Sequence, residues 1–353
     1  MVGSLEFVVV LLALYLLECL RTTRPDELII DRRLWSGFRV KRPVLYPSNG
    51  EWGWVLLNPF RPDGPMFSML PASYAITRFG ILAFASASSP EAGAAVALEG
   101  ELSGLTDDER AVRAREHERR RLDVADIRRA CEELEGRVST LRDAAPALLA
   151  LCLVVFPACV FLFGLRATLV PALAVVVVCS AGCAVLYHRA ATALPPPTLS
   201  KISLWGKCTK LVLYPVAALR CVDLLTSDVL RRYDPIAVTT VLCGKEDGAK
   251  LLASEMVHLR FRAIDSCSDG ACHQAMEEYR CVRMQLLELF AIDQGFSLSD
   301  LAERPPAAHH GARTYCPGCR AQYRLPEGLC TDCSGMILQP LAKSRETAAG
   351  GRS

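Results

Sequence analysis

The sequence lacks the short motifs that identify the common nucleotide-binding and hydrolytic enzymes. It contains no G-x-x-x-x-G-K-[ST] phosphate loop, no H-E-x-x-H metalloprotease motif, no G-x-S-x-G nucleophile elbow and no G-x-G-x-x-G dinucleotide loop. These absences leave no recognisable reaction or small-molecule substrate, and they favour a protein without enzymatic activity.

A strong excess of one charge is also missing. The 40 basic and 38 acidic residues give a formal charge of +2, which predicts no overall attraction to nucleic acid. The densest basic run, Arg119–Arg121 followed by Arg128 and Arg129, is interleaved with acidic residues. It is therefore predicted to be a solvated helix face, and nucleic acid is not an expected partner.

Charges are absent altogether from two long apolar segments, 144–165 and 167–187, with only Arg166 between them. Each is long enough to cross about 30 Å of hydrocarbon as a helix. Because the connection is so short, the two spans are predicted to form an antiparallel hairpin. Residues 1–20 are also apolar, apart from Glu6 and Glu18, and lack a basic start and a small-residue cleavage site, which predicts an uncleaved anchor.

Basic residues follow the first and third predicted spans, and this bias predicts the orientation. Arg21 and Arg24 follow the anchor, whereas Arg189 and Lys201 follow the hairpin. We expect a multi-pass inner (plasma) membrane protein whose N-terminus and Arg166 turn are outside and whose C-terminus is cytosolic. The lipid bilayer is then its first partner.

The sixteen cysteines do not form the pattern of an oxidised disulfide framework. Four of them make two C-x-x-C knuckles, Cys316–Cys319 and Cys330–Cys333, separated by ten residues. Four thiolates in two such turns satisfy a tetrahedral Zn²⁺ without another ligand. The predicted cofactor is one structural zinc ion, because no coordination position remains for an activated water.

The residues around these knuckles carry a resemblance to a known class of module. Tyr315, the CPGC knuckle, Tyr323 and the CTDC knuckle resemble the short zinc ribbons appended to many bacterial proteins, over about residues 315–338. The resemblance implies a small zinc-dependent fold. The chain departs from the commonest form at Arg320, where glycine often follows the second cysteine. A rubredoxin-like iron centre also uses two C-x-x-C knuckles, but with a much longer spacer.

Other ligand-type residues are less regularly spaced. Cys267, Cys272, His273 and Cys281 could form a second metal site, although ordinary helix packing is favoured because their spacing fits no standard site. In the predicted hairpin, Cys152 and Cys179 should lie at similar depth, as small packing residues or as a redox pair.

Hydrophobic periodicity and turn signals divide the rest of the chain. Asn49-Gly50 predicts a β-hairpin between 44–46 and 52–55. A capping-box pattern at Thr106 and Glu109 opens a long helix, whose apolar stripe could pack on the chain itself or form a coiled coil. The stripe consists of Val124, Ile127, Cys131, Leu134, Val138 and Leu141. Another helix, at 271–293, is predicted to have one buried face. That face consists of Met276, Tyr279, Val282, Leu286, Leu289 and Phe290.

The predicted fold class is an α+β integral membrane protein. Its expected parts are a transmembrane anchor (1–20), a β-rich cytosolic unit (22–102), a charged amphipathic helix (106–143), a transmembrane helical hairpin (144–187), a linker and interfacial helix (188–227), a helical cytosolic unit (228–300), a linker (301–314) and a zinc ribbon (315–340). Residues 211–225 could alternatively cross the membrane, although Pro215, Arg220 and Asp223 favour an interfacial helix.

Three functions are compatible with these features. The favoured one is a membrane-anchored interaction or scaffold protein that binds another protein through its cytosolic parts, since it has a closed metal site and no catalytic motif. The second is an accessory subunit of a membrane enzyme or transporter. The third is a membrane-tethered nucleic-acid binder, which depends only on the frequent use of zinc ribbons in that role.

Overall fold

The computed structural model gives the fold over most of the chain. The residues it describes are 2–23, 28–32, 37–40, 53–59, 67–69, 74–76, 82–84, 107–193, 201–230, 232–263, 270–301, 305–309, 311–333 and 335–341.

Helices make up most of the described structure. They are α1 (Val2–Cys19), α2 (Asp107–Arg121), α3 (Val124–Ala150), a π-helical turn (Leu151–Val155), α4 (Phe156–Phe163), α5 (Leu165–Ala193), α6 (Lys201–Leu213), α7 (Pro215–Ala218), α8 (Cys221–Leu230), α9 (Pro235–Leu242), α10 (Lys245–Phe261), α11 (Gly270–Asp293) and α12 (Leu298–Leu301).

The strands are short and pair antiparallel in small sheets. They are β1 (Leu20–Thr23), β2 (Leu28–Arg32), β3 (Phe38–Val40), β4 (Gly53–Leu56), β5 (Phe67–Met69), β6 (Tyr74–Ile76), β7 (Leu82–Phe84), β8 (Thr314–Tyr315), β9 (Gln322–Tyr323), β10 (Leu329–Cys330), β11 (Met336–Ile337) and β12 (Gln339–Pro340). The sheet orders are β1-β4, β3-β2-β5, β6-β7, β10-β11 and β12-β8-β9.

The predicted β-hairpin at Asn49-Gly50 is described only at its second arm. β4 covers that arm, and its described partner is β1, with Leu20 opposite Leu56. The turn and the first arm, 44–46, lie outside the described residues. β1 directly follows α1, so this pairing places β4 at the end of the N-terminal helix.

Two apolar helices form the predicted hairpin. α3 continues through the π-helical turn into α4, and the chain then reverses at Gly164, whose φ is +81°. The hydroxyl of Thr168 donates a hydrogen bond to the Gly164 carbonyl at 2.8 Å and stabilises the start of α5. The continuous helix Val124–Phe163 and the helix Leu165–Thr192 are long and apolar enough to cross a membrane.

Large apolar side chains remain exposed on these helices and on α1. Leu162 is 76% exposed and Val178 is 71% exposed, although a soluble protein normally buries such residues together. α1 packs against the hairpin, with the Phe7 and Phe156 rings edge to face at 5.2 Å. The three helices thus share one apolar outer surface.

A buried arginine ties the end of α1 to α8. Arg220 donates from Nε to Asp223 at 2.7 Å and from Nη1 to the Asn58 carbonyl at 3.2 Å. The same Nη1 lies 3.7 Å from Sγ of Cys19, the last residue of α1. This ion pair is almost fully buried, so it fixes the position of α1 relative to β4 and α8.

The long charged helix predicted from Thr106 is two helices, and the prediction of a single one is wrong. The chain breaks at Leu122-Asp123, where the Asp123 carboxylate caps α3 by accepting from the Ala125 and Asp126 amides. Aspartate at this position satisfies backbone donors that the first helical turn leaves free. Thr106 itself lies outside the described residues.

The apolar stripe on α3 packs on the chain's own helices. Ile127 joins a core with α9, α10 and α11, whereas Leu134, Val138 and Leu141 join a second core with α5, α6 and α8. All four are at most 5% exposed. The stripe is therefore already covered, which supports the predicted packing on the chain itself over a coiled coil.

The segment 211–225, predicted to be an interfacial helix, is divided among three helices. α6 ends at Leu213, α7 is a single turn after Tyr214, and α8 begins at Cys221. Most of α8 is buried. Pro215 cannot donate the hydrogen bond that a continuing helix needs, so it separates α6 from α7.

A buried network of charges joins the helices of the C-terminal unit. Arg283 of α11 donates to Asp234 at 2.6 Å and to Glu118 at 3.3 Å, and its Nε lies 3.7 Å from Glu255. All four side chains are at most 4% exposed. The three carboxylates raise the pKa of Arg283 well above its ordinary value, despite the opposing effect of burial.

Asp234 also caps α9 by accepting from the Ile236 amide. The network therefore connects α2, α9, α10 and α11. The predicted solvated basic face is correct for Arg119, Arg120, Arg128 and Arg129, which are exposed. It is wrong for Arg121, which is largely buried and pairs with Glu118 at 3.3 Å.

Candidate metal centre

The C-terminal strands present two cysteine turns to one another. Cys316 and Cys319 lie between β8 and β9, whereas Cys330 ends β10 and Cys333 lies in the turn that follows it. In the first turn, the Arg320 amide donates to the Cys316 carbonyl at 2.9 Å, and the Cys316 amide donates to Ala321 at 2.9 Å. These short-range bonds close the first turn and place its two thiols on one side of the loop.

The four Sγ atoms converge at the spacing that a metal requires. All lie within 4.8 Å of one another, and those of Cys319 and Cys330 are 3.7 Å apart. Four thiolates at about 2.3 Å from a tetrahedral zinc ion would be about 3.8 Å apart. The predicted ligand set, Cys316, Cys319, Cys330 and Cys333, is therefore brought together by the fold.

Gly318 allows the two turns to approach. A Cβ at this position would lie 3.2 Å from Sγ of Cys333 and 3.2 Å from Cε of Met336. Such contacts are tighter than ordinary van der Waals packing. A side chain on Gly318 would consequently push the second turn away from the first.

Arg320 takes the backbone conformation that glycine often supplies at this position. Its φ is +62°, and it is the only non-glycine residue with a positive φ in the described part of the chain. Left-handed backbone costs an L-residue about 1–2 kcal/mol. The departure from the commonest ribbon sequence therefore leaves the turn geometry intact, at a cost in stability.

Hydrogen bonds around the thiols affect their protonation. Burial raises the pKa of Cys316 to about 11. Burial also acts to raise the pKa of Cys330, but hydrogen bonds from the Tyr323 hydroxyl, 3.2 Å away, and from Cys316 lower it overall. A hydroxyl that donates to a ligand sulfur also orients it. Metal binding here must displace protons, so affinity falls in acid.

The ribbon is docked on helix α10. Val257 and Phe261 pack against the ribbon core of Cys316, Cys330, Met336 and Leu338. Arg262 forms an antiparallel bridge with Met336, and the Ala263 amide donates to the Gly335 carbonyl at 3.0 Å. The two-residue strands of the ribbon thus share part of their apolar core with the helical unit.

The linker before the ribbon also lies against it. Gln322 of β9 donates to the Ala307 carbonyl at 2.7 Å and accepts from the His309 amide at 2.8 Å. The segment predicted as a linker therefore lies along the ribbon over these residues and does not act as a free tether.

A histidine near this junction is held neutral. His258 of α10 lies 3.0 Å from Nη1 of Arg262, and its pKa is lowered to about 3 by burial and by the charges of Arg262 and Arg280. The neutral imidazole can accept a hydrogen bond from Arg262, which in turn bridges to the ribbon.

The outer face of the ribbon is apolar. Cys330 and Met336 are paired across β10 and β11 and are buried, whereas the next pair, Leu329 and Ile337, points outward because side chains alternate along a strand. Leu329 is 54% exposed, Ile337 is 42% exposed, and nearby Leu325 is 59% exposed. One face of the ribbon is thus anchored on α10, and the opposite one is left exposed by the described part of the chain.

The second predicted cluster is described only in part. Cys267 lies outside the described residues. Cys272 and His273 belong to α11, while Cys281 is exposed two turns further along the same helix. Within the described residues, the four ribbon cysteines are the only group of ligand atoms close enough to hold a metal ion.

The cysteines of the hairpin are brought near one another as predicted. Cys152 and Cys179 lie on opposite arms of the hairpin and pack in the same apolar core. Cys152 is buried and Cys179 is half-buried, both at the packed side of the hairpin. Their surroundings are apolar, which fits small packing residues.

Comparison with known protein families, curated proteins and solved structures finds no match for this chain. The chemistry of the site must therefore be judged from its geometry. Four converging thiols can hold a tetrahedral ion and leave it no open position, so the arrangement is suited to stabilising a fold.

Proposed function

We propose that this chain is a membrane-anchored protein that binds another protein through its zinc ribbon and helical unit. The observation that carries the proposal is that one face of the ribbon is packed on the helical unit while the other is exposed. Its inner face is fixed on α10 by Val257 and Phe261, while Leu329 and Ile337 form an apolar face that the described chain leaves exposed. Exposed apolar patches of this kind mark protein interaction sites.

Zinc is the ion that best fits the site, and its role is structural. The closed set of four thiolates matches the ligand type and tetrahedral spacing of structural zinc. The ribbon has only two-residue strands and a small core. Metal binding and folding of the ribbon should therefore be coupled, and loss of the ion should remove the docking face.

Anchoring in the inner membrane is the second part of the proposal. Three features support it: the two long apolar helices, the exposed apolar surface that they share with α1, and the scarcity of charge in the hairpin. We place the N-terminus and the Arg166 turn outside and the helical unit and ribbon in the cytosol, following the positive-inside rule. The reducing cytosol keeps zinc-binding thiols available.

Two measurements test this architecture. Elemental analysis of the purified protein should find about one zinc per chain, and Cys330→Ser should abolish it. In intact cells the membrane should protect the C-terminus from an impermeant label, whereas in opened cells the C-terminus should be labelled. Iron in place of zinc, or a tail that is labelled in intact cells, would contradict the proposal.

The docking function is tested by photocrosslinking in cells. A benzoylphenylalanine at Ile337 should capture one discrete partner, whereas the same probe at Ile292, which is 59% exposed on α11, serves as a control of similar exposure. Leu329→Asp should remove the adduct while zinc content stays unchanged. Equal, diffuse capture at both positions would refute partner binding by this face of the ribbon. Capture of a stoichiometric catalytic or pore subunit would favour the role of an accessory subunit.

A further inference from the structure

Helix α6 folds back along α5 and does not continue away from it. The Sγ of Cys208 lies 3.7 Å from the Ala184 carbonyl, and the Trp205 ring lies 5.8 Å from that of His188. As residue numbers rise along α6, they fall along the α5 positions that it contacts. The two helices are therefore antiparallel, and α6 returns along the final third of the predicted span.

This register gives the depth at which α6 ends. Leu213 is five residues beyond Cys208, which is about 7–8 Å further along the helix. It is therefore level with about residue 179 of α5, at a depth similar to that of Val178, which is 71% exposed in the uncharged stretch. Leu213 is itself 78% exposed. Its side chain continues the apolar outer surface of the membrane helices.

The other end of α6 carries a residue typical of the membrane interface. Trp205 is 65% exposed and lies beside His188, directly after the uncharged stretch of α5 ends at Tyr187. Tryptophan is enriched at the level of the lipid headgroups. A helix with Trp205 at this level and Leu213 deeper matches a segment that enters one leaflet and leaves it again.

The described basic side chains of α6 divide into one that is neutralised and one that is not. Lys207 pairs with Asp228, which also accepts a hydrogen bond from Tyr187 at 2.8 Å. Lys210 is exposed and has no ion-pair partner among the residues that the structure describes. Its long side chain can reach from apolar surroundings to the interface.

We propose that α6 is a re-entrant helix, with Trp205 at the level of the lipid headgroups and Leu213 among the acyl chains. The proposal rests on the membrane anchoring put forward above. Leu213 and Val178 are both apolar and exposed and lie at similar depth, so lipid is the occupant that fits this face. Turning at Tyr214-Pro215, the chain then returns to the interface through α7 and α8.

The depth of α6 is tested by photocrosslinking in phospholipid nanodiscs. Benzoylphenylalanine is placed at Leu213, at Leu162 in the hairpin and at Ile292 on α11, and lipid adducts are measured by intact mass spectrometry. Adducts are expected at 162 and 213 but not at 292. Adducts at 162 alone would overturn the re-entrant helix and leave the anchoring intact, whereas adducts at neither would remove the anchoring itself.

Discussion

The close contact between α9 and α10 makes a sharp prediction about Gly248. A Cβ on this glycine would lie 2.1 Å from Oγ1, 2.9 Å from Cβ and 3.0 Å from Cα of Thr240. The hydroxyl of Thr240 is held by a 2.8 Å hydrogen bond to the Ile236 carbonyl, and its Cα belongs to the backbone. Gly248→Ala must therefore separate the two helices.

The expected magnitude follows from two opposing effects. Overpacking a core costs about 1–3 kcal/mol, while replacing glycine by alanine inside a helix gains up to about 1 kcal/mol. Gly248→Ala should thus destabilise the protein by about 1–2 kcal/mol. Gly136 of α3 is the matched control, because its added Cβ would meet nothing within 4 Å. Gly136→Ala should stabilise by about 0.5–1 kcal/mol.

Thermal unfolding of the purified protein in mild detergent, followed by circular dichroism, measures both variants. The two substitutions should move the midpoint in opposite directions. Thr240→Ala should recover part of the loss in a double-mutant cycle, with a coupling of at least about 0.5 kcal/mol, because it removes the nearest atom. If Gly248→Ala raised the midpoint as Gly136→Ala does, the helices would not be in the close contact described, and the placement of α10 against α9 would be wrong.

Three further predictions concern charges and backbone conformation. Arg283→Met should destabilise the protein by about 3–5 kcal/mol in denaturant titrations, because it removes the positive charge that lies among three buried carboxylates. A loss below about 1 kcal/mol would contradict the network. Arg320→Gly should relieve left-handed strain and stabilise the folded ribbon by up to about 1 kcal/mol, which should slow the loss of zinc to a chelator. Arg324→Gly, where φ is not positive, should not slow it. Because the pKa of His258 is about 3 in the folded protein, below the ordinary value, the unfolded chain gains a proton first as the pH falls. The contribution of neutral His258 to the free energy of unfolding is complete above about pH 6.5 and declines below it. Wild type should therefore lose about 1 kcal/mol more stability than His258→Gln between pH 7.5 and 5.5. Parallel plots of stability against pH for the two proteins would refute this.

The metal ligands could be predicted from the sequence because their geometry is local. A C-x-x-C turn places two thiols on one side of a short loop whatever surrounds it. Cys316 and Cys319 therefore required only a second such turn to complete a set of four metal ligands. The conformation of Arg320 follows from the same local hydrogen bonds. The docking of the ribbon on Phe261 could not be predicted, since an aromatic residue at the end of a helix does not reveal which distant segment covers it.

The face of α11 shows why the buried charges were not predicted. Periodicity alone predicted that Leu289 would be buried, yet Leu289 is 56% exposed while Arg283 is 4% exposed. The carboxylates that compensate Arg283 come from α2, α9 and α10, which are distant in sequence. A charged residue is normally predicted to be solvated, and only the tertiary contacts reverse that preference.

Two continuous helices connect the apolar surface to the metal centre. α3 is packed at Ile127 in the core of the helical unit and at Leu141 in the core beneath the hairpin, and the helix then continues into the apolar stretch. α10 is packed at Leu252 in the same unit and at Phe261 in the ribbon. The ribbon is therefore joined to the apolar helices through packed elements, and the part of α3 that precedes the apolar stretch, twenty residues from Val124, is about 30 Å long. Under the anchoring and docking that we propose, a docking face joined in this way suits a partner that is itself bound to the membrane, whereas a free tether would also admit partners at any distance.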